Sequence, residues 1–442
     1  MKMSTNKLLL LTVIASLTTS VNSVAQPSKY SEFKKKQQQK YQSYKQDYLA
    51  RYEAYKKDII EKWGVAELSS NTEYIAYSED KKVKVVADFE NDIVEVNVLN
   101  DDDISEEEVS KLVTQTIVDA LNATPTEIVK SNAEFAISEA PKEIKAPKPK
   151  KPVDKIAKNS VLTHLGVTSE KSLAKVISTL EEVPAKQAKA EMVERTEKRI
   201  DKQITALKQF AKKDGLSPQK QQQSIKTIKQ LKKEKRKVAD KKSELTKKNI
   251  KTYRTKLARS RFEKAQQYLT FVDQHAQKWQ LEKDVLLAIM ETESHFNPLA
   301  KSHIPAFGLM QIVPSTAGAD VNRKVFSIKN NPTPKQLFNG EQNIKYGSAY
   351  VNILMTHYLA DVKDPQSRLY CAVAAYNTGI GNLAKAFNGG KRGRKQAIEK
   401  INTMTPEQVY QVITKRTHTE TQRYLDKVMK SKNYFSQHVS KA

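Results

Sequence analysis

The sequence predicts an α+β protein, with a mainly α-helical C-terminal domain preceded by a small α+β domain and a basic helical arm. Three observations carry this reading. Between Asn71 and Leu99 apolar residues alternate with polar ones, the period of a half-buried strand. From Pro184 to Lys248 the chain is dominated by Lys, Gln and Glu, with only scattered Leu, Ile and Val. From Arg261 onward apolar residues return at helical spacing.

A chain of 442 residues has room for two or three domains. Hydrophobic residues make up 38%, enough for packed cores in parts of the chain but low for one uniform globule. Lys and Arg exceed Asp and Glu by 76 − 50 = 26. Such an excess attracts polyanions or anionic surfaces. No zinc-ligand set, single-strand-binding motif or recognition module accompanies the charge, so nucleic acid is not the expected partner. An acidic cell wall or an anionic membrane surface fits better. The single cysteine, Cys371, forms no intrachain disulfide and no cysteine-based metal cluster. It sits in the apolar run Tyr370–Ala374 and reads as a small core residue. His295, His303, His357 and His418 lack a paired-ligand pattern, so neither metal nor other cofactor is expected.

Residues 1–25 read as a secretion signal: Lys2 and Lys7, an apolar core from Leu8 to Leu17, and the small-x-small site Ser23-Val24-Ala25. Residues 26–139 form the expected N-terminal α+β domain. Ser28 to Trp63 is a charged helix with Tyr30, Phe33, Tyr41, Tyr44, Tyr48, Tyr52 and Tyr55 at helical steps. Such a stripe can stack on sugars, but a packing face is its commoner use. Two runs, Val83–Phe89 and Ile93–Val98, alternate around Glu90-Asn91-Asp92 and predict a hairpin. Asp101 to Asp103 reads as a solvated acidic turn. Ser105 with Glu108 forms a capping box before a helix marked by Val109, Leu112, Val113, Ile117 and Leu121. Residues 140–258 are expected to hold a linker and the basic arm. Pro and Lys dominate Ala140–Lys155, which makes that segment stiff and extended. Leu162 to Val183 has room for a short helix. Asp214 to Pro218 splits the arm into an αα-hairpin, and Asn249–Leu257 alternates like a strand returning to the sheet. Residues 259–435 form the C-terminal domain, opening with a helix on which Phe262, Ala265, Tyr268, Leu269, Val272 and Ala276 share a face.

The chemistry centres on Val285–Thr316. An apolar helical stretch, Val285–Met290, runs into Glu291-Thr292-Glu293-Ser294-His295, and Asn297-Pro298 breaks the helix. A carboxyl group is thus expected at the end of a buried helix, beside Ile289, Met290 and Phe296. Burial disfavours its charged form, as a general acid requires. Glu291 and Glu293 are two positions apart and point to different sides of the axis, so only one is expected on the buried face.

Glu293-Ser294-His295-Phe296-Asn297-Pro298, Ser302, Gly308-Leu309-Met310-Gln311, Ala375-Tyr376-Asn377-Thr378-Gly379 and Glu420-Thr421-Gln422-Arg423-Tyr424-Leu425 follow one another in an order and spacing that resembles the motif set of the lytic transglycosylases. Within that family the motifs resemble those of the membrane-bound C group. The resemblance covers roughly Lys264 to Lys430. It implies a goose-lysozyme-like catalytic domain that cleaves peptidoglycan between N-acetylmuramic acid and N-acetylglucosamine. Glu293 would act first as acid and then as base. The sugar's own C6 hydroxyl would attack C1, giving a 1,6-anhydro end without water, with the high effective molarity of an intramolecular attack. The resemblance also implies sugar contacts from Ser302, Gln311, Tyr376 and Asn377, and places the Tyr424 hydroxyl near the catalytic carboxyl. The signal segment implies export to the periplasm. The C group carries a lipid on a cysteine just after the signal, and no cysteine stands there in this sequence, which favours a protein that is free or peripherally bound to the outer membrane. Pro305 replaces a usual glycine.

Two other functions compete with this one. A hydrolytic muramidase of the same fold needs a second carboxylate, with Asp320, Glu341 and Asp361 as candidates. A non-catalytic wall-binding protein would work through the basic arm, and the intact motif residues argue against it.

Overall fold

A computed structural model describes residues 50–100, 105–132, 134–135, 156–211, 217–302 and 306–439. The signal segment, the Pro/Lys linker, the acidic turn, Pro305 and the tyrosines before residue 50 lie outside the described residues.

Five strands among the described residues form one antiparallel sheet in the order β1-β2-β3-β5-β4. They are β1 (Glu73–Tyr77), β2 (Val83–Asp88), β3 (Ile93–Leu99), β4 (Glu181–Val183) and β5 (Ile250–Lys256). The β2–β3 hairpin turns at residues 89–92, and β5 returns to pair with β3, as their alternation predicts. The short strand β4 was not expected: its Glu181 and Glu182 are exposed and give no alternating pattern.

Alternation sends the two sheet faces to different partners. Val83, Val85 and Ala87 of β2, with Val94, Val96 and Val98 of β3, pack in one core with Val109, Val113, Ile117 and Leu121 of the Glu106–Leu121 helix. That helix begins on the expected Ser105–Glu108 capping box. Glu95, Asn97, Thr252 and Arg254 belong to the opposite face, where Thr252 Oγ1 donates to Asn97 Oδ1 at 2.9 Å. The arm covers that face. Its helices, Ala185–Ala211 and Pro218–Asp240, pack as a hairpin with the helix at residues 50–63. Tyr52, Ile59, Trp63, Met192, Ile200, Ile204, Leu231 and Val238 share that core. Tyr52 is buried, and Tyr55 packs edge-on against Tyr77 at 6.4 Å. For these two the aromatic stripe is a packing face.

The C-terminal domain packs helices around Lys283–Ser294, which lies against the last helix, Thr419–Val439. Its opening helix is broken rather than continuous: Arg261–Gln266 ends and Leu269–Trp279 begins after a turn at Gln267-Tyr268. There buried Tyr268 hydrogen-bonds His164 Nδ1 at 3.0 Å and the Phe296 carbonyl at 3.2 Å. These tertiary bonds override a face that is otherwise helical throughout. Sheet and helical domain share one core, joined by the ring chain Tyr74–Phe135–Phe338–Phe307, with centroids 6.0, 5.6 and 5.3 Å apart. Asp92 in the β2–β3 turn accepts from Arg259 at 2.5 Å and locks the junction.

Candidate active site

Glu293 lies in the last turn of Lys283–Ser294. The helix stops because His295 and Phe296 adopt left-handed backbone conformations, φ 50° and 65°. Non-glycine residues seldom do so, and the buried Phe296 ring, stacked on Tyr268 at 6.1 Å, holds the bend. Ser294 Oγ donates to the Met290 and Leu309 carbonyls at 3.1 and 2.8 Å, tying the helix to the Gly308–Gln311 turn. Asn71, from the segment before β1, donates to the Glu293 main-chain oxygen at 3.2 Å.

Burial alone does not single out Glu293, contrary to the expectation from the sequence. Glu291 is the more buried of the two. It is compensated by Arg261, at 2.7 and 2.5 Å, and by Ser431 Oγ at 2.5 Å. Glu293 faces a cleft and, among the described residues, has no cation beside it. Its carboxyl accepts one hydrogen bond, from the Tyr424 hydroxyl to Oε1 at 2.7 Å. Desolvation pushes its pKa up to about 8; the Tyr424 bond opposes the rise and the nearby Glu420 charge adds to it.

The cleft encloses about 1020 Å³ and is lined by Glu293, Ser302, Gln311, Tyr376 and Asn377 together. A second cavity of about 790 Å³ shares Gln311, Tyr376, Asn377 and Glu420 with it, so the two are halves of one trough. Gln311 Nε2 donates to the Ala300 and Gly308 carbonyls, both at 3.0 Å, leaving Oε1 as its atom not used in those bonds. Ser302 Oγ accepts from the Ala306 amide at 3.3 Å. The Tyr376 hydroxyl donates to the Met310 carbonyl at 2.7 Å. Asn377 accepts from Thr421 Oγ1 at 2.8 Å and donates to Glu420 Oε1 at 3.4 Å, so it joins the wall to the last helix.

Gly308 shapes the turn opposite Glu293, with φ 74°; a Cβ there would meet the Leu337 carbonyl at 2.2 Å. Asn343 pins the same turn. It donates to the Phe307 and Leu337 carbonyls and accepts from the Met310 amide, each at 2.7 Å.

Asp320 is bound to Arg323 at 2.5 Å and Tyr358 at 2.9 Å, and neither it nor Glu341 nor Asp361 lines the trough. Glu420 does. Glu420 stands four residues before Tyr424, one helical turn away on the last helix, and that spacing is the sequence signal for a second carboxylate on the trough. Asn71 and Asn343 carried no sequence signal.

Residues 270–399 match the Transglycosylase SLT domain. Membrane-bound lytic murein transglycosylase C of Pectobacterium atrosepticum is 42% identical over 176 residues, 39% of this chain and 47% of the relative. Its counterpart in Histophilus somni is 40% identical over 173 residues, with the same shares. The chain thus spans about half the length of the curated relatives it matches. The crystal structure of the 70 kDa soluble lytic transglycosylase of Escherichia coli aligns at 27% identity over 39% of this chain and 24% of that one, with a TM-score of 0.29. The helical C-terminal part of this chain carries a transglycosylase SLT domain, and its sequence is similar to the lytic murein transglycosylases.

Proposed function

We propose that the protein is a peptidoglycan lytic transglycosylase, cutting the β-1,4 bond between N-acetylmuramic acid and N-acetylglucosamine and leaving 1,6-anhydro ends. The observation that carries this reading is the Glu293 carboxyl on the trough, met among the described residues by the Tyr424 hydroxyl and by no cation; desolvation there pushes its pKa up to about 8 and favours the acid form at neutral pH. Glu293 gives its proton to the glycosidic oxygen as the bond to C1 breaks. The muramyl acetamido group stabilises the positive charge left on the sugar. The Glu293 carboxylate then takes the proton of the C6 hydroxyl, whose oxygen bonds to C1. The carboxyl ends as it began, and one group serves both steps.

In this reading residues 259–435 hold the chemistry. Tyr424 orients the carboxyl through its 2.7 Å bond. Ser302, Gln311, Tyr376 and Asn377 form the walls that meet the sugar, through hydroxyl, amide and ring. The substrate lies outside the cytoplasmic membrane, which places the protein in the envelope. Among the described residues no helix is long and apolar enough to cross a membrane. The basic arm is the part suited to rest on an anionic wall or membrane surface.

Glu293→Gln keeps size and shape but cannot cycle a proton. It should fold as the wild type does and lose at least about a thousandfold in clearing of purified peptidoglycan. Clearing at the wild-type rate would remove Glu293 from the mechanism.

A further inference from the structure

We infer that Arg199 and Lys301 form an anion-binding subsite in the trough wall, which takes a carboxylate of the peptide branch carried by the glycan. This rests on the transglycosylase reading and names the part of the substrate that the arm recognises.

The arm helix Ala185–Ala211 lies outside residues 270–399, yet it lines the same cleft as Glu293. Most buried cations it meets there are matched. Lys84 pairs with Glu67, Arg195 bridges Glu67 at 2.6 Å and Glu95 at 2.8 Å, and Arg254 pairs with Glu95 at 2.5 Å. Arg199 is the exception. It lines the cleft and its side chain is 7% exposed. Nε and Nη2 are shielded from solvent and make no hydrogen bond. The Glu234 carboxylate is 3.7 Å from Nη2, beyond hydrogen-bonding distance, and is itself held by Lys56 at 2.7 Å. A desolvated guanidinium with idle donors is costly, and a carboxylate is the group that fits its planar fork.

Lys301 supplies the second cation. It also lines the cleft, one residue before Ser302, and its Nζ donates to the Glu134 main-chain carbonyl at 2.6 Å. Burial holds its ammonium below its usual range; the Glu134 charge opposes that shift and Arg199 adds to it. Arg199 and Lys301 thus line the same cleft, with the buried Glu134 carboxylate as an electrostatic neighbour of both. In peptidoglycan the lactyl acid is tied up as an amide to the peptide, so the free carboxylates belong to the peptide branch.

The test compares native peptidoglycan with peptidoglycan whose free carboxylates have been converted to amides, using the full chain. Wild-type protein should lose about ten- to a hundredfold in kcat/KM on the amidated substrate. Arg199→Gln should show the same loss on native substrate and little further loss on the amidated one. Arg199→Lys, which keeps the charge without the fork, should fall between them. Wild-type rates for Arg199→Gln on native substrate overturn the subsite. So do losses from substitution and amidation that multiply, because a merely structural role would impair both substrates alike. Wild-type protein that leaves both substrates intact overturns the transglycosylase reading itself, and the subsite with it.

Discussion

Glu291 and Glu293 stand two residues apart on one helix and meet opposite surroundings. Arg261, itself exposed, and Ser431 hold the buried Glu291 in an ordinary ion pair and hydrogen bond. Among the described residues Glu293 receives one neutral donor, Tyr424, and no cation. The pH consequence has a definite sign. Desolvation raises the Glu293 pKa to about 8, so the acid form needed for the first step is present below that pH and lost above it. The Tyr424 bond favours the carboxylate. Tyr424→Phe should therefore move the alkaline limb of the kcat/KM profile to higher pH, while lowering kcat by about tenfold through lost orientation. A limb that stays in place or moves to lower pH would contradict this. The motif residues made Glu293 and Tyr424 legible in the sequence. The pairing of Glu291 was not, because its partners, Arg261 and Ser431, are 30 and 140 residues away.

Among the elements, the turn at Gly308–Gln311 shows how little room the site allows. Gly308 has φ 74°, and the Leu337 carbonyl and Asn343 side chain close against it. Gly308→Ala should destabilise the fold by about 2 kcal/mol or more, measured by urea unfolding, and should lower activity by displacing Gln311. Unchanged stability and activity would show that the turn yields. Local signals made several elements legible: the alternation of β2, β3 and β5, the Ser105–Glu108 box and the split hairpin. Where tertiary contacts decide, the sequence misled. Exposed β4 has no apolar period, and the opening helix breaks at Tyr268, whose hydroxyl is drawn to His164 and Phe296.

For the whole molecule, the arm and the sheet are held together by charge. Arg195 reaches from the arm to Glu67 and Glu95, and Arg254 on β5 completes the network. Burial alone would raise the Glu95 pKa, but Arg195 and Lys84 overcome it and hold it at about 2, against a usual 4.5. A depressed carboxylate contributes stability above its unfolded value, and that contribution is lost as pH falls from about 4.5 through 2. Arg195→Met removes the bridge but leaves Glu95 paired with Arg254 and Glu67 with Lys84, so it should cost about 1.5–3 kcal/mol at neutral pH by urea unfolding. A cost near zero would mean that the arm is held by its apolar core alone. The charge excess of the arm was visible in composition, but its place over the cleft was not, because that depends on pairings between the arm and strands some 100 residues earlier in the chain.

The central claim is that a single carboxyl cuts the glycan without water. It is tested most directly by digesting purified peptidoglycan with the wild-type protein in heavy-oxygen water and weighing the fragments by mass spectrometry. Muramyl ends one water lighter than the hydrolysed form, carrying no heavy oxygen, are the predicted result. Reducing muramyl ends that each carry one heavy oxygen would contradict it and make Glu420, the other carboxylate of the last motif on the trough, the group to test for water activation.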